Sequence, residues 1–262
     1  MPTAIPDILG RIVRRKRDEL SESRQDWAAL EQRAEARIEG RRDFAAALRA
    51  QPPAIIAEIK QASPSRGLLT HDFDPARMAR QYQTGGAAAL SVLTDHDFFA
   101  GSLVDLETAR AAVEIPVLRK DFTLEARHVV EAAAHGADAI LLIAAILGVE
   151  EMRTLREQTG RYRMAALVEV HDAAELALAL DSGAEIIGVN NRDLRSFETR
   201  LEISIELAAA VPRGVVRVSE SGIHSAADVR RLIAAGYDAF LVGEHLMQSA
   251  DAAAALRALR QV

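Results

Sequence analysis

The sequence predicts an α/β fold in which eight strand–helix units close on themselves. Three observations lead there. Eight short apolar runs alternate with eight amphipathic stretches along residues 55–259, the rhythm of parallel strands joined by helical crossovers. Several helix exits share a glycine with the next strand close behind: Gly85-Gly86-Ala87, Gly136-Ala137-Asp138, Gly183-Ala184-Glu185 and Gly236-Tyr237-Asp238. Glycine supplies the left-handed residue that ends a helix. Three of the runs also end in charge: Ala54-Ile55-Ile56-Ala57-Glu58-Ile59-Lys60, Pro116-Val117-Leu118-Arg119-Lys120-Asp121-Phe122 and Ala165-Ala166-Leu167-Val168-Glu169-Val170. An unpaired charge inside a strand covered on both faces costs several kcal/mol, roughly. Such residues mark the mouth of a closed barrel, where active sites are built. An open doubly wound sheet is the structural rival, but its Gly-x-Gly-x-x-Gly loop after the first strand does not occur. Eight units without that loop predict a single (β/α)8 TIM barrel with an N-terminal helical extension.

Residues 1–50 form the extension and 51–262 the barrel, one structural domain overall. In the extension, 5–21, 26–38 and 43–50 read as helices. The first carries Arg14-Arg15-Lys16-Arg17, which, followed by Asp18 and Glu19, reads as a solvated helix face and not as a nucleic-acid arm. The extension is expected to cap the barrel or border its mouth. Strands follow near 55–60, 88–94, 116–120, 139–143, 165–169, 186–190, 215–219 and 239–242. Helices fall between them at 75–84, 103–113, 124–134, 149–158, 173–181, 201–210 and 226–234, with 250–259 as the eighth.

Composition narrows the function. The 262 residues carry a formal net charge of −6 and only 4% aromatics, which argues against non-specific nucleic-acid binding and base-stacking platforms. Cysteine is absent, so disulfide, zinc-thiolate and thiol-nucleophile chemistry are excluded. The start, Met1-Pro2-Thr3-Ala4-Ile5-Pro6-Asp7, lacks the basic and apolar regions of a signal peptide. The apolar run from Ala139 to Leu147 is too short for a bilayer, which needs about 20 residues. A cytoplasmic protein with no membrane or nucleic-acid partner is expected, a monomer or weak homo-oligomer. Neither metal nor cofactor is called for.

Residues two apart on a strand share a face. Glu58 therefore pairs in direction with Lys60, Leu118 with Lys120, Leu167 with Glu169 and Val218 with Glu220. The apolar members fill the interior and the charged ones project into the mouth, joined by Asn190 at the end of Ile186-Ile187-Gly188-Val189-Asn190. A ring of structural ion pairs is the bland alternative. Acids and bases gathered from four strands instead suit general acid–base work, because neighbouring charges push each other's pKa values apart. Removing the Lys120 charge from so crowded a mouth is expected to leave stability unchanged or higher. Ser219-Glu220-Ser221-Gly222-Ile223 and Val242-Gly243-Glu244-His245 follow strands seven and eight, where barrels bind phosphate through backbone N–H groups. Glycine there lets the backbone approach an anion, and Ser63-Pro64-Ser65 after strand one can add a hydroxyl. Asp95-His96-Asp97 reads as a solvated loop, and His71, His128, His135, His171 and His224 as lone loop or helix-face residues.

At these residues the chain resembles the indole-3-glycerol-phosphate synthase family of tryptophan biosynthesis. The matching stretches are Ile56–Ser65, Leu90–Asp95, Leu118–Phe122, Leu167–His171, Ile187–Leu194 and Val218–Ile223. The resemblance implies conversion of 1-(o-carboxyphenylamino)-1-deoxyribulose 5-phosphate to indole-3-glycerol phosphate, with loss of carbon dioxide and water and without cofactor or metal. It implies that Lys120 protonates the ketone during ring closure, and that Lys60, Glu58 and Glu169 serve the dehydration, Lys60 also meeting the substrate carboxylate. Asn190, Arg192 and Glu220 would organise the site. Ser63, Gly222, Gly243 and Glu244 would contact the phosphate, the last three through their backbone, with Ser221 a further substrate-binding residue, and Phe99, Phe122 and Leu141 would surround the anthranilate ring. Ala62 departs from members that carry a further lysine there. Two rivals remain at this point: a Schiff-base aldolase using Lys60 or Lys120, and a non-catalytic phosphate-binding barrel.

Overall fold

The computed structural model describes residues 7–50, 52–64, 66–70 and 72–262. Ser65, His71 and the first two residues of the expected 5–21 helix lie outside them. Eight parallel strands form the barrel: β1 (Ala54–Ile59), β2 (Ala89–Leu93), β3 (Val117–Lys120), β4 (Ala139–Ile143), β5 (Ala165–Val170), β6 (Ile186–Asn190), β7 (Val216–Glu220) and β8 (Ala239–Val242). Each pairs with its neighbour in sequence, and β1 pairs with β8 to close the ring. Crossover helices α4 (Pro75–Gly85), α5 (Leu103–Ala111), α6 (Ala126–Ala134), α7 (Val149–Arg161), α8 (Ala173–Asp181), α9 (Glu202–Ala208), α10 (Ala226–Ala234) and α11 (Ala252–Leu259) surround it; the extension supplies α1 (Asp7–Glu22), α2 (Trp27–Ala36) and α3 (Phe44–Ala50). The glycines expected to end helices do so with positive φ, from 81° at Gly183 to 100° at Gly236. Among the described residues, no helix is long and apolar enough to cross a membrane.

Period two sorts the strands into two apolar layers. Ile55, Ala57, Val92, Val168 and Val189 face outward into the helix–strand layer. Ala54, Ile56, Leu118, Leu141, Leu167, Val218 and Leu241 point inward and fill the barrel. One step further along these inward rows stand Glu58, Lys120, Glu169, Asn190 and Glu220, at the carboxyl ends of their strands. The opposite end is floored by α3, whose Phe44 and Leu48 pack with the inner layer. Above α3, the Arg41 guanidinium donates to the carbonyls of Ala133 and Ala137, both at 2.6 Å, and closes the end of α6.

The basic run on α1 differs from its expectation. Arg14 and Arg17 are exposed, but Lys16 is buried and its Nζ lies 2.9 Å from Asp95 and 3.0 Å from Asp121. Asp95 is likewise no solvated loop residue. It is fully buried and caps a short helix, His96–Phe99, by accepting from the Phe98 N–H at 2.8 Å. Charge alone could not reveal this, because the two partners lie far apart in sequence. A two-stranded hairpin in the β1 loop, Ala62–Ser63 with Gly67–Leu68, and a short helix, Glu244–Met247, were also not anticipated. Segments of two to four residues carry too little periodicity to be read.

Candidate active site

The inward ends of five strands meet in one cavity of about 350 Å³. At its floor Lys120 donates from Nζ to Glu169 Oε2 at 2.7 Å and to Glu220 Oε2 at 2.8 Å, spanning β3, β5 and β7. Lys60, one residue past β1, donates to Glu58 Oε1 at 2.5 Å. Burial opposes the charge on Lys120, but Glu169, Glu220 and Glu58 outweigh it and hold the ammonium above the ordinary lysine range. Burial raises the Glu169 pKa, yet Lys120 and His171 reverse this and hold it below the usual carboxylate range. Glu220 goes the other way. Burial raises it, Lys120 only partly offsets that, Glu169 and Glu58 add to it, and it stands at about 7. One floor therefore holds a cationic acid, an ionised carboxylate and a carboxyl group that titrates near neutrality, the separation that acid–base catalysis requires.

Glycine shapes this floor. A Cβ on Gly188 would occupy the place of Glu220 Oε1, and one on Gly243 would collide with the Glu58 carboxylate. Gly243 has φ −117°, so no left-handed backbone demands it. The room it gives is taken by Glu58, so the missing side chain at Gly243 serves this carboxylate beside the expected approach to an anion.

Toward the β7 and β8 loops the lining turns polar. Ser221 (φ 67°) and Gly222 (φ 76°) are consecutive left-handed residues, and a serine so placed is strained backbone of the kind found at ligand clamps. Ser221 Oγ donates to Asn190 Oδ1 at 2.9 Å, and the Arg192 N–H donates to the same oxygen at 3.1 Å. Arg192 also reaches Glu244 Oε2 at 3.2 Å, while Arg66 reaches Oε1 at 2.5 Å. His224 and His245, 6.1 Å apart edge to face, complete this end with Ser63; His224 is thus paired and not alone. Buried Asn191 donates to the Glu220 carbonyl at 3.0 Å and the Ser221 carbonyl at 3.1 Å, tying the β6 and β7 loops together.

The other end is apolar. Phe99 and Phe122 lie 6.2 Å apart between ring centres, Leu141 and Ile143 rise from β4, and Ile8, Leu9 and Ile12 of α1 roof the cavity. All fifteen side chains or glycines expected at the site line this cavity. The α1 contacts were missed, since only an amphipathic stripe announces them and it names no target. His171 was read as a lone residue, yet its ring lies between Glu169 and Glu175. Among the described residues no cluster of three or more His, Asp or Glu side chains is placed to hold a metal ion.

A sequence model described as indole-3-glycerol phosphate synthase matches residues 9–259. The indole-3-glycerol phosphate synthase of Aromatoleum aromaticum is 47% identical over 258 residues, covering 97% of this chain and 98% of the relative. That of Albidiferax ferrireducens is 49% identical over 259 residues, covering 97% and 98%. Among solved structures, KGPDC from Streptococcus mutans superposes with a TM-score of 0.62 at 14% identity, over 80% of this chain and 96% of that one; this likeness speaks to the barrel alone. Motifs and relatives agree along nearly the whole length: the chain belongs to the indole-3-glycerol phosphate synthase family.

Proposed function

We propose that this cavity binds 1-(o-carboxyphenylamino)-1-deoxyribulose 5-phosphate with its ring at the Phe99–Phe122 end and its phosphate at the Gly222–Glu244 end. The enzyme is a carboxy-lyase of tryptophan biosynthesis that forms indole-3-glycerol phosphate. A carbon–carbon bond forms between the carboxylate-bearing ring carbon and the ketone carbon, and Lys120 protonates the ketone oxygen as it becomes a hydroxyl. Carbon dioxide leaves and aromaticity returns. The hydroxyl then takes a proton from Lys60, which Glu58 holds in place, and departs as water, while Glu169 takes up the proton lost from the neighbouring carbon. Lys60 also faces the substrate carboxylate, and Asn190, Arg192 and Glu220 hold the frame. Ser63, Ser221, Gly222, Gly243 and Glu244 surround the phosphate, with Leu141 beneath the ring.

One observation carries the assignment: Lys120 lies between Glu169 and Glu220 on the floor of a cavity that is apolar at one end and glycine-rich at the other. It also disfavours an aldolase that uses Lys120. A Schiff-base lysine needs a lowered pKa to supply free amine, whereas the neighbours of Lys120 raise it. We place its action in the cytoplasm on a small phosphorylated substrate, without a membrane partner, as a monomer or weak homo-oligomer with residues 1–50 and 51–262 forming one structural domain; the net charge of −6 and the 4% aromatics support the absence of a nucleic-acid partner. Incubation with the substrate is expected to give indole fluorescence and release carbon dioxide in equal amounts. A folded protein that yields neither refutes the reading.

A further inference from the structure

Glu169 is gripped from two sides. Lys120 takes Oε2 from within the cavity, and His171 stands behind Oε1 with its Nε2 3.4 Å away. His171 lies two residues past Glu169, on the same side of the chain, and outside the cavity lining. Its other ring nitrogen, Nδ1, is 2.9 Å from Glu175 Oε2, and its backbone N–H donates to that oxygen at 2.8 Å. Glu175 is in turn fixed by the start of α8, where the N-cap Asp172 accepts from the Glu175 N–H at 2.8 Å. The helix start places Glu175, Glu175 places the imidazole, and the imidazole faces Glu169.

We infer that His171 is a positioning residue: backed by Glu175, it holds Glu169 Oε1 in place as the proton acceptor of the dehydration. The inference rests on the role of Glu169 proposed above. Burial works against charge on the ring, but Glu169 and Glu175 outweigh it and push its pKa up to about 10. Asp193, in the loop after β6, is a third carboxylate within electrostatic reach, and Lys120 shares Glu169 with the ring. His171 is therefore a cation at neutral pH. The Nε2–Oε1 contact is long, at 3.4 Å, so His171 orients Oε1 mainly by charge and leaves that oxygen able to accept a proton. The arrangement trades some basicity for a carboxylate that is ionised and aimed when substrate arrives. A role in capping α8 alone would need only the Glu175 contacts.

Nitrogen–proton NMR of the histidine rings in the whole chain reads this directly. Both ring nitrogens of His171 are expected to be protonated at neutral pH, with titration returning toward about 6.5 in Glu169→Gln. His171→Asn can still donate to Glu175 but cannot reach Glu169. It should lower kcat by roughly 10²-fold with KM nearly unchanged. Glu175→Gln should move kcat the same way by less and lower the His171 pKa. A neutral His171 ring at pH 7 in the unaltered protein, or His171→Asn turning over normally while Glu169→Gln does not, overturns this inference alone. Normal turnover by Glu169→Gln overturns the proposed base and the inference with it. If His171→Asn does not fold, Glu175→Gln decides: unchanged kcat and unchanged His171 titration overturn the inference.

Discussion

Lys120 serves two carboxylates that titrate in opposite directions, and its removal should show in stability as well as rate. Glu169 has a lowered pKa in the folded protein, so its contribution is present at neutral pH and lost as pH falls through the acid range. Glu220 is raised to about 7, so its contribution is present at acid pH and lost as pH rises through 7. In Lys120→Met buried Glu220 loses its counter-charge and Glu169 keeps only that of His171, and removing one partner of a buried pair costs about 3–5 kcal/mol. The variant is expected to melt well below the parent above pH 7, with the gap narrowing toward pH 5 as both groups take up protons. Its kcat should fall by roughly 10²–10⁴-fold, the usual share of a general acid. Melting curves across pH and single-turnover fluorescence measure the two effects; a gap that widens toward acid would refute the pairing. This reverses the sequence expectation that stability would hold or rise. Lys120, Glu58, Glu169 and Glu220 were legible because each interrupts an apolar row. That Lys120 joins two of them was not, since pattern gives direction and not partner.

At the level of the strand, Gly188 in the middle of β6 and Gly243 just past β8 lack side chains and so make room for their neighbours' carboxylates. Gly243→Ala sets a methyl against Glu58, which holds Lys60 at 2.5 Å. Gly188→Ala does the same to Glu220. Both variants are expected to fold with about 1–3 kcal/mol of overpacking and to lose kcat by roughly 10–10²-fold through displaced acid–base groups. Steady-state kinetics with melting curves tests this. A rise in KM alone in Gly243→Ala would return that position to a purely phosphate-facing role. The strands themselves were legible to within one residue at each end, because buried parallel strands are continuous apolar runs and their helices end in left-handed glycine. The two small clearances were invisible: a glycine written in a strand does not say whose atoms fill its space.

Over the whole molecule, the extension touches the barrel at both ends, and the two contacts should separate experimentally. At the floor, Phe44 and Leu48 of α3 complete the inner apolar layer, far from the carboxyl ends of the strands. At the mouth, Lys16 anchors α1 through Asp95 and Asp121, next to Lys120 in sequence, while Ile8, Leu9 and Ile12 roof the cavity. In a barrel of this kind the amino-terminal face of the strands serves stability and the carboxyl-terminal mouth serves function. Phe44→Ala leaves a cavity costing about 3–5 kcal/mol. Lys16→Met leaves Asp95 without that counter-charge, and breaking a buried pair costs a similar amount, about 3–5 kcal/mol. Both variants should therefore lose roughly 10 °C in melting temperature, each in a single transition if extension and barrel unfold together. Well below that transition they should part. Phe44→Ala is expected to keep the parent's kcat/KM, whereas Lys16→Met should raise KM several-fold because the roof over the anthranilate ring is no longer held. The comparison works because the two losses of stability are matched, so a difference in KM cannot come from weakened folding. Equal kinetics in the two variants would show that α1 covers the mouth without contributing to binding.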